Sequence, residues 1–222
     1  MTPGLPPGRL CLVTDRRRLA AACGAEAGDG PALLIQQARA AAAAGIGTLH
    51  LRERDLDAAA LYALAAEVRD VLGAATILLV NDRADIAAAL GAGVHLRESS
   101  MAAERLRPAL PALGPVWRAV HDEPGVRAAG PVDALVAGTV QPTPSKAAAV
   151  RTLGLDGLAT LVRASVVPVV AIGGLSGEDW PRLASTGDLA SLLDRIEGFR
   201  HALLAPVWSE AIRLDIPPRG GE

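Results

Sequence analysis

The chain has 222 residues, half of them hydrophobic, and a formal net charge of −2 at pH 7. This length suits one α/β domain with a sizeable core, and the charge lacks the basic excess that nucleic-acid binding requires. No apolar run approaches the roughly 18 residues of a membrane span, and the Pro/Gly-rich N-terminus is unlike a secretory signal. We therefore expect a cytoplasmic protein that binds small molecules and neither nucleic acid nor membrane.

Short apolar runs alternate with Ala/Leu-rich segments of helical period, which is typical of βα units in a parallel sheet. The predicted strands are residues 10–14, 47–52, 76–80, 93–96, 115–120, 133–140 and 168–172. The predicted helices are residues 31–44, 57–72, 83–90, 101–110, 123–129, 155–164 and 177–185. The eighth strand is less clear: residues 189–193 are the candidate, and residues 199–214 have a helical pattern.

Repeats of roughly 20 to 30 residues favour a closed TIM (β/α)8 barrel with an atypical eighth strand. The alternative, a doubly wound sheet, usually carries G-x-G-x-x-G after its first strand, and no such motif follows residue 14 here. We expect a single domain over residues 1–222, with a core of about 9–214, a mobile loop at 23–30 and a flexible tail at 215–222. Cys11 and Cys23 have no metal-ligand spacing, so reduced thiols are expected.

Functional residues of a parallel barrel lie at the C-terminal ends of its strands. Polar residues follow every predicted strand but the last, and they are expected to converge on one mouth around a phosphorylated small molecule. These residues are Asp15, His50, Arg52, Arg54, Asn81, Asp82, Arg83, His95, Glu98, Ser100, Arg118, His121, Gln141, Thr143, Ser145 and Lys146. Asn81 and Lys146 are the only asparagine and lysine of the chain, which singles them out as candidates, although each could be an ordinary surface residue.

Gly173-Gly174 follows the seventh predicted strand, where glycine lets backbone N–H groups approach a phosphate. The Pro-rich segment that contains Thr143, Ser145 and Lys146 offers hydroxyls and a cation for phosphate oxygens. Each segment also has a plain structural explanation, as a tight turn or a stiffened loop. His121 is the candidate for proton transfer near neutral pH.

Five segments at these strand ends carry more specific motifs. They are Cys11-Leu-Val-Thr-Asp15, His50-Leu-Arg-Glu-Arg54, Val80-Asn-Asp-Arg83, Gln141-Pro-Thr-Pro-Ser-Lys146 and Val170-Ala-Ile-Gly-Gly174. In this order, from about residue 10 to 186, they resemble the thiamine phosphate synthase/thiazole tautomerase family. The resemblance implies a TIM barrel and one of two activities: a synthase joins hydroxymethylpyrimidine pyrophosphate to thiazole phosphate with Mg²⁺, and a tautomerase aromatises a thiazole carboxylate phosphate without metal.

Residue differences favour the tautomerase as the main expectation. The synthase motif Gln-x-Arg-Glu-Lys has His50 and Arg54 at its first and last positions here, and Ser100 stands where synthases place a metal-binding Asp. A hydroxyl is a poor substitute for a carboxylate on Mg²⁺. Asp82, which matches the other metal carboxylate, remains and would bind the metal only in a synthase-like protein.

Under the tautomerase reading, His121 would move the proton, Gly173 and Gly174 would bind phosphate, and Arg52 or Lys146 would hold the carboxylate. The alternatives are the synthase itself and a non-catalytic or regulatory protein that binds thiazole phosphate. The residues 186–198 do not match the family's Gly-rich eighth-strand segment, so we expect an incomplete phosphate site. A homo-oligomer is possible under every alternative.

Overall fold

The computed structural model describes residues 10–142, 151–175 and 209–214, and in them eight strands hydrogen-bond in chain order into a closed barrel. The strands are β1 (Leu10–Val13), β2 (Thr48–Leu51), β3 (Ile77–Asn81), β4 (Gly93–Leu96), β5 (Val116–Val120), β6 (Ala134–Gly138), β7 (Val169–Ile172) and β8 (Ser209–Leu214). Neighbouring strands from β1 to β7 are all parallel. The predicted TIM-barrel fold is confirmed.

Helices follow the parallel strands and cover the outside of the barrel. They are α1 (Arg16–Ala22), α2 (Gly30–Ala43), α3 (Ala58–Leu72), α4 (Ala84–Ala89), α5 (Ala103–Ala109), α6 (Glu123–Ala128) and α7 (Gly154–Ala164). Aspartate side chains accept backbone hydrogen bonds at three of their N-termini: Asp15 caps α1, Asp57 caps α3 and Asp122 caps α6.

The region after β1 differs from the prediction. Helix α1 was not predicted, because three consecutive arginines at its start hide any apolar period. A mobile loop was predicted for residues 23–30, but a short 3-10 turn at Ala27–Asp29 leads directly into α2 there. The side chains of Glu26 and Asp29 each accept from the other's backbone N–H, which satisfies donors that a loop would leave open.

The eighth strand is atypical, as expected, but it is formed by other residues than predicted. The helical pattern assigned to residues 199–214 was wrong over Ser209–Leu214, which pairs antiparallel with both β1 and β7. Residue Ala211 pairs with Cys11 on one side and with Ile172 on the other. Because unpaired strand edges leave backbone groups unsatisfied, pairing with β1 and β7 outweighs the local helical preference. The predicted strand at 189–193 and helix at 177–185 lie outside the described residues.

Alternation along the strands divides the core into two layers. Leu49 and Leu51 of β2 face the helices, whereas the barrel interior is filled by side chains of the opposite parity. That interior cluster consists of Cys11, Val13, Leu79, Trp117, Ala134, Val136 and Val170. Since these side chains fill the barrel, a ligand must bind at its mouth. No helix in the described part of the chain is long and apolar enough to cross a membrane.

Candidate active site

Two histidines lie side by side just inside the mouth. His50 on β2 and His95 on β4 approach with Nε2 and Nδ1 3.2 Å apart, and their rings stand edge to face with centroids 4.5 Å apart. Asn81 on the intervening strand β3 is hydrogen-bonded to the His50 side chain. The three residues form one polar group because adjacent parallel strands bring their C-terminal ends together.

Both histidines are neutral at pH 7. Burial lowers the pKa of His50 well below its ordinary value, and the nearby His95 and Arg52 lower it further. Burial and the Arg52 guanidinium lower the pKa of His95 to about 4, although the Asp82 carboxylate opposes this. A ligand at the mouth therefore meets uncharged imidazoles, which donate one hydrogen bond and accept another.

Two interior polar atoms lack a partner within the described residues. They are His95 Nε2 and Trp117 Nε1, both buried. The two residues are directly paired between β4 and β5, and both point inwards. Because buried polar atoms are rarely left unsatisfied, a water molecule or a polar ligand atom would be expected to bind here.

Arg52 follows β2 and is half-buried at the mouth. Its backbone N–H donates to Thr14 Oγ1 over 3.0 Å, but no hydrogen bond or ion pair among the described residues uses its guanidinium. Burial and the neighbouring Arg54, which is exposed, lower the pKa of Arg52. Such a partly desolvated cation without a carboxylate partner is suited to bind an anionic ligand.

A buried ion pair fixes the strand ends beneath Arg52. Glu53 accepts from Thr14 Oγ1 at 2.6 Å, from the backbone N–H of Arg16 at 3.1 Å and from Arg16 Nη1 at 2.9 Å. Arg16 also contacts both oxygens of Asp55, at 2.7 and 2.6 Å, and these contacts raise the pKa of Arg16 and lower that of Asp55 to about 2. This cluster was not predicted, because its only signal in the sequence is a charged residue after each of two adjacent strands.

Asp82 follows Asn81 in a left-handed conformation, with φ of 57°. Its Oδ2 accepts from Arg97 Nε at 2.6 Å and also contacts Arg97 Nη2, while its Oδ1 accepts from Ser100 Oγ. Ser100 Oγ in turn accepts from the Arg97 backbone N–H at 3.0 Å. Asp82 and Ser100 are thus brought together, and Arg97, which is not among the predicted site residues, neutralises the carboxylate.

His121 lies at the rim and is half exposed. Its Nδ1 is hydrogen-bonded to the Gly138 carbonyl oxygen, and its Nε2 lies 3.9 Å from Glu98 Oε2. A cavity of about 400 Å³ is lined by Arg97, Glu98, Ser99, Ala119 and His121. Because a carbonyl oxygen only accepts, Nδ1 of His121 donates to Gly138, which leaves Nε2 on the side of Glu98.

The two glycines after β7 fit closely against the loop after β6. Gly173 and Gly174 have φ of 100° and 70°, and a Cβ on Gly174 would lie 2.5 Å from the Gln141 carbonyl oxygen. Within the described residues, no hydrogen bond uses either amide N–H, whereas the Gly173 carbonyl accepts from Gln141 over 2.8 Å. Glycine is therefore required here by the backbone, whether or not the open amides bind phosphate.

The remaining predicted residues fall in three groups. Arg118 points away from the barrel interior: it shares the outward parity of Val116 and donates to the backbone oxygens of Ser100, Met101 and Ala129, so it holds the loop of Ser100 from outside and does not face a ligand as expected. Arg83 pairs with Asp85, and Asp15 caps α1, which gives both a local structural role. Thr143, Ser145 and Lys146 lie outside the described residues.

Comparisons with known proteins agree on one family. The family model described as "Thiamine monophosphate synthase" matches residues 10–192. A putative thiamine-phosphate synthase of Geobacter sulfurreducens is 38% identical over 184 residues, covering 80% of this chain and 81% of that protein. A thiamine-phosphate synthase of Corynebacterium jeikeium is 36% identical over 191 residues, covering 81% and 87%.

A solved structure supports the fold. The chain is similar to thiamine phosphate pyrophosphorylase from Pyrococcus furiosus, with a TM-score of 0.64 and 23% identity, over 88% of this chain and 96% of that one. At this identity the similarity concerns the fold alone.

These relatives overturn the expectation of a thiazole tautomerase, an isomerase. That expectation rested on single replacements, chiefly His50, Arg54 and Ser100, in a chain whose 36–38% identical relatives are named synthases. Of these replacements, Arg54 retains the positive charge of the synthase motif, and Ser100 is hydrogen-bonded to Asp82. The match over residues 10–192 and these relatives together show that the chain belongs to the thiamine monophosphate synthase family.

Proposed function

We propose that this protein is a thiamine-phosphate synthase, a transferase that joins hydroxymethylpyrimidine pyrophosphate to thiazole phosphate and releases pyrophosphate. One observation carries the proposal: a half-buried arginine without a carboxylate partner among the described residues, Arg52, lies beside a neutral histidine pair at the barrel mouth. Such a site combines a cation for an anionic leaving group with uncharged groups for a heterocycle. The names of its relatives supply the chemical class.

The reaction forms one bond and breaks one. The thiazole ring nitrogen attacks the methylene carbon of the pyrimidine, and the bond from that carbon to the pyrophosphate oxygen breaks, with its electron pair leaving on pyrophosphate. Negative charge therefore grows on the leaving group, and fixed cations stabilise it most in the transition state. Arg52, Arg54 and Arg97 are the described cations at or beside the mouth that would serve this purpose.

The heterocycle would bind at the histidine pair. His50 and His95 stay neutral because burial and the Arg52 guanidinium lower their pKa values. Neutral imidazoles together with Asn81 present donors and acceptors that can match the ring nitrogens and amino group of a pyrimidine. The thiazole phosphate would bind across the cavity, with its phosphate near Gly173-Gly174 and the Pro-rich segment that contains Thr143, Ser145 and Lys146, which remains a prediction.

A magnesium ion at Asp82 is poorly matched by the described residues. Both Asp82 oxygens already accept hydrogen bonds, one from Ser100 and one from Arg97. No group of three or more His, Cys, Asp or Glu in the described ranges could hold a metal. Since Mg²⁺ needs carboxylates and phosphates that are not already neutralised, these residues do not fit the ion, and the steps above do not depend on it.

The test is turnover by the purified full-length protein. Both substrates are supplied together, with each one omitted in turn as the control, and thiamine phosphate and pyrophosphate are quantified. We expect equal amounts of the two products, formed only when both substrates are present. Binding of thiazole phosphate without any product would indicate a non-catalytic protein and overturn the proposal.

A further inference from the structure

The Arg97 cluster, which consists of Arg97, Asp82 and Ser100, is a closed ring of hydrogen bonds. Ser100 Oγ accepts from the Arg97 backbone and donates to Asp82 Oδ1, while Asp82 Oδ2 accepts from Arg97 Nε over 2.6 Å. The Asp82 side chain is only 18% exposed, whereas that of Arg97 is 63% exposed. The cluster therefore fixes the inner edge of the guanidinium and leaves its outer edge accessible.

Arg97 also borders the cavity. Arg97 lines the space of about 400 Å³ together with Glu98, Ser99, Ala119 and His121. The Asp82 carboxylate that anchors Arg97 and the Arg52 guanidinium both act on the pKa of His95, in opposite directions, so His95 lies within the field of both. Arg52 thus acts on the histidine pair and Arg97 lines the cavity, and neither guanidinium uses all its donors on described residues.

The backbone of Asp82 also orients its side chain. Its φ of 57° is left-handed, a conformation that aspartate adopts more readily than most residues other than glycine, and its backbone N–H donates to the His95 carbonyl over 2.9 Å. In this conformation the carboxylate contacts Arg97.

We propose that Arg97 binds a pyrophosphate oxygen directly and provides at this site the positive charge that a divalent metal ion would otherwise supply. A guanidinium has five donors in a planar fork, so two can be held by Asp82 while others reach a phosphate oxygen. Asp82 and Ser100 act as positioning residues for it. The identity of the anion rests on the proposed function, whereas the metal-independent binding of pyrophosphate can be measured on its own.

The experiment is calorimetric titration of the full-length protein with inorganic pyrophosphate, in EDTA and then in excess Mg²⁺. We expect wild type to bind pyrophosphate in EDTA, and the variant Arg97→Gln to bind it at least tenfold more weakly. Arg97→Lys, which keeps the charge but loses the fork, should fall between them. Arg105→Gln is the matched control, because Arg105 is an exposed arginine on α5 and does not line the cavity.

A second variant tests the exchange of arginine for metal. The double substitution Arg97→Gly with Ser100→Asp removes the cation and adds a carboxylate beside Asp82, so its pyrophosphate binding should become dependent on Mg²⁺. Thermal melting of each variant shows whether it is folded. Wild-type binding that is absent in EDTA, or that Arg97→Gln leaves unchanged, would overturn the inference.

The two proposals fail separately. Pyrophosphate binding through Arg97 without formation of thiamine phosphate would refute the synthase and leave this inference standing. Turnover with both substrates, combined with pyrophosphate binding that requires Mg²⁺ and is unchanged in Arg97→Gln, would support the synthase and refute this inference.

Discussion

His95 Nδ1 lies 3.2 Å from His50 Nε2, and the two rings meet edge to face inside the barrel mouth. At this distance one nitrogen must donate and the other must accept, so only one proton is shared between them. A proton added to either ring would place a cation in a buried site next to Arg52. Burial and the nearby Arg52 guanidinium therefore favour the state in which both rings are neutral.

The first prediction concerns stability at low pH. The folded-state pKa of His95 is about 4, below its ordinary value of 6.5, so the unfolded chain binds more protons between these values. The free energy of unfolding should fall as pH drops from 6.5 to 4, by roughly 2–3 kcal/mol from His95. Urea unfolding at several pH values measures this. His95→Gln should flatten the dependence and Arg105→Gln should keep it; equal slopes for wild type and His95→Gln would contradict the assignment.

The second prediction concerns Arg52. Its guanidinium lowers the pKa of both His50 and His95, so Arg52→Gln should raise both values. NMR titration of the imidazole Cε1 protons measures this. The same variant should reduce synthase turnover by about a hundredfold, since it removes a cation that would stabilise the leaving group. Arg54→Gln is the control for the titration, because Arg54 is exposed and acts on Arg52 rather than on the histidines. Unchanged histidine titration in Arg52→Gln would contradict the geometry.

The third prediction concerns the buried pair of Glu53 and Arg16, whose side chains are 2% and 10% exposed. Glu53→Gln should lower the free energy of unfolding by about 3 kcal/mol, because it leaves Arg16 buried with only Asp55 as an ionic partner. Glu123→Gln is the matched control: it breaks the exposed pair with Arg127 on α6 and should cost at most about 1 kcal/mol. Equal losses in the free energy of unfolding, measured with urea, would show that the buried pair contributes no more to stability than the exposed pair.

The fourth prediction concerns Gly174. In Gly174→Ala, the new Cβ would lie 2.5 Å from the Gln141 carbonyl oxygen in a backbone with φ of 70°, so both a clash and strain result. Gly91→Ala is the control, since Gly91 has φ of 63° with nothing within 4 Å of a Cβ, and should cost only about 1 kcal/mol. Gly174→Ala should lose at least about 2 kcal/mol more in urea unfolding, by analogy with overpacking. A loss no greater than that of the control would mean that the loop moves away freely.

Much of the barrel was predictable because its first seven strands repeat one local pattern. In the sequence each apolar run is followed by turn residues and a segment of helical period, so β1 to β7 and the polar residues at their ends follow from periodicity. β8 does not, because its place is decided by the open edges of β1 and β7 rather than by its own residues. Its antiparallel direction also differs from that of the seven preceding strands, which are parallel to one another.

The sequence indicated which strand ends carry the candidate site residues, but not which side chains pair with each other there. Strand-end positions indicated that His50, Asn81 and Asp82 would meet, but spacing cannot reveal that Arg97 would bind Asp82 or that Arg16 would bind Glu53. These contacts depend on how loops turn after their strands. The orientation of Arg118 was not predictable for a different reason. Alternation along β5 shows that Arg118 points away from Trp117, but only the packed barrel shows which of the two faces is inward.

The direction of β8 has a consequence for chain routing. Val13, at the C-terminal end of β1, pairs with Ser209, the first residue of β8, so β8 begins on the mouth side and runs toward the opposite end. β7 thus ends, and β8 begins, at the same rim of the barrel. The segment that joins β7 to β8 therefore begins and ends on the mouth side of the barrel. Insertions or deletions in it should change substrate affinity before they change the packing at the opposite end.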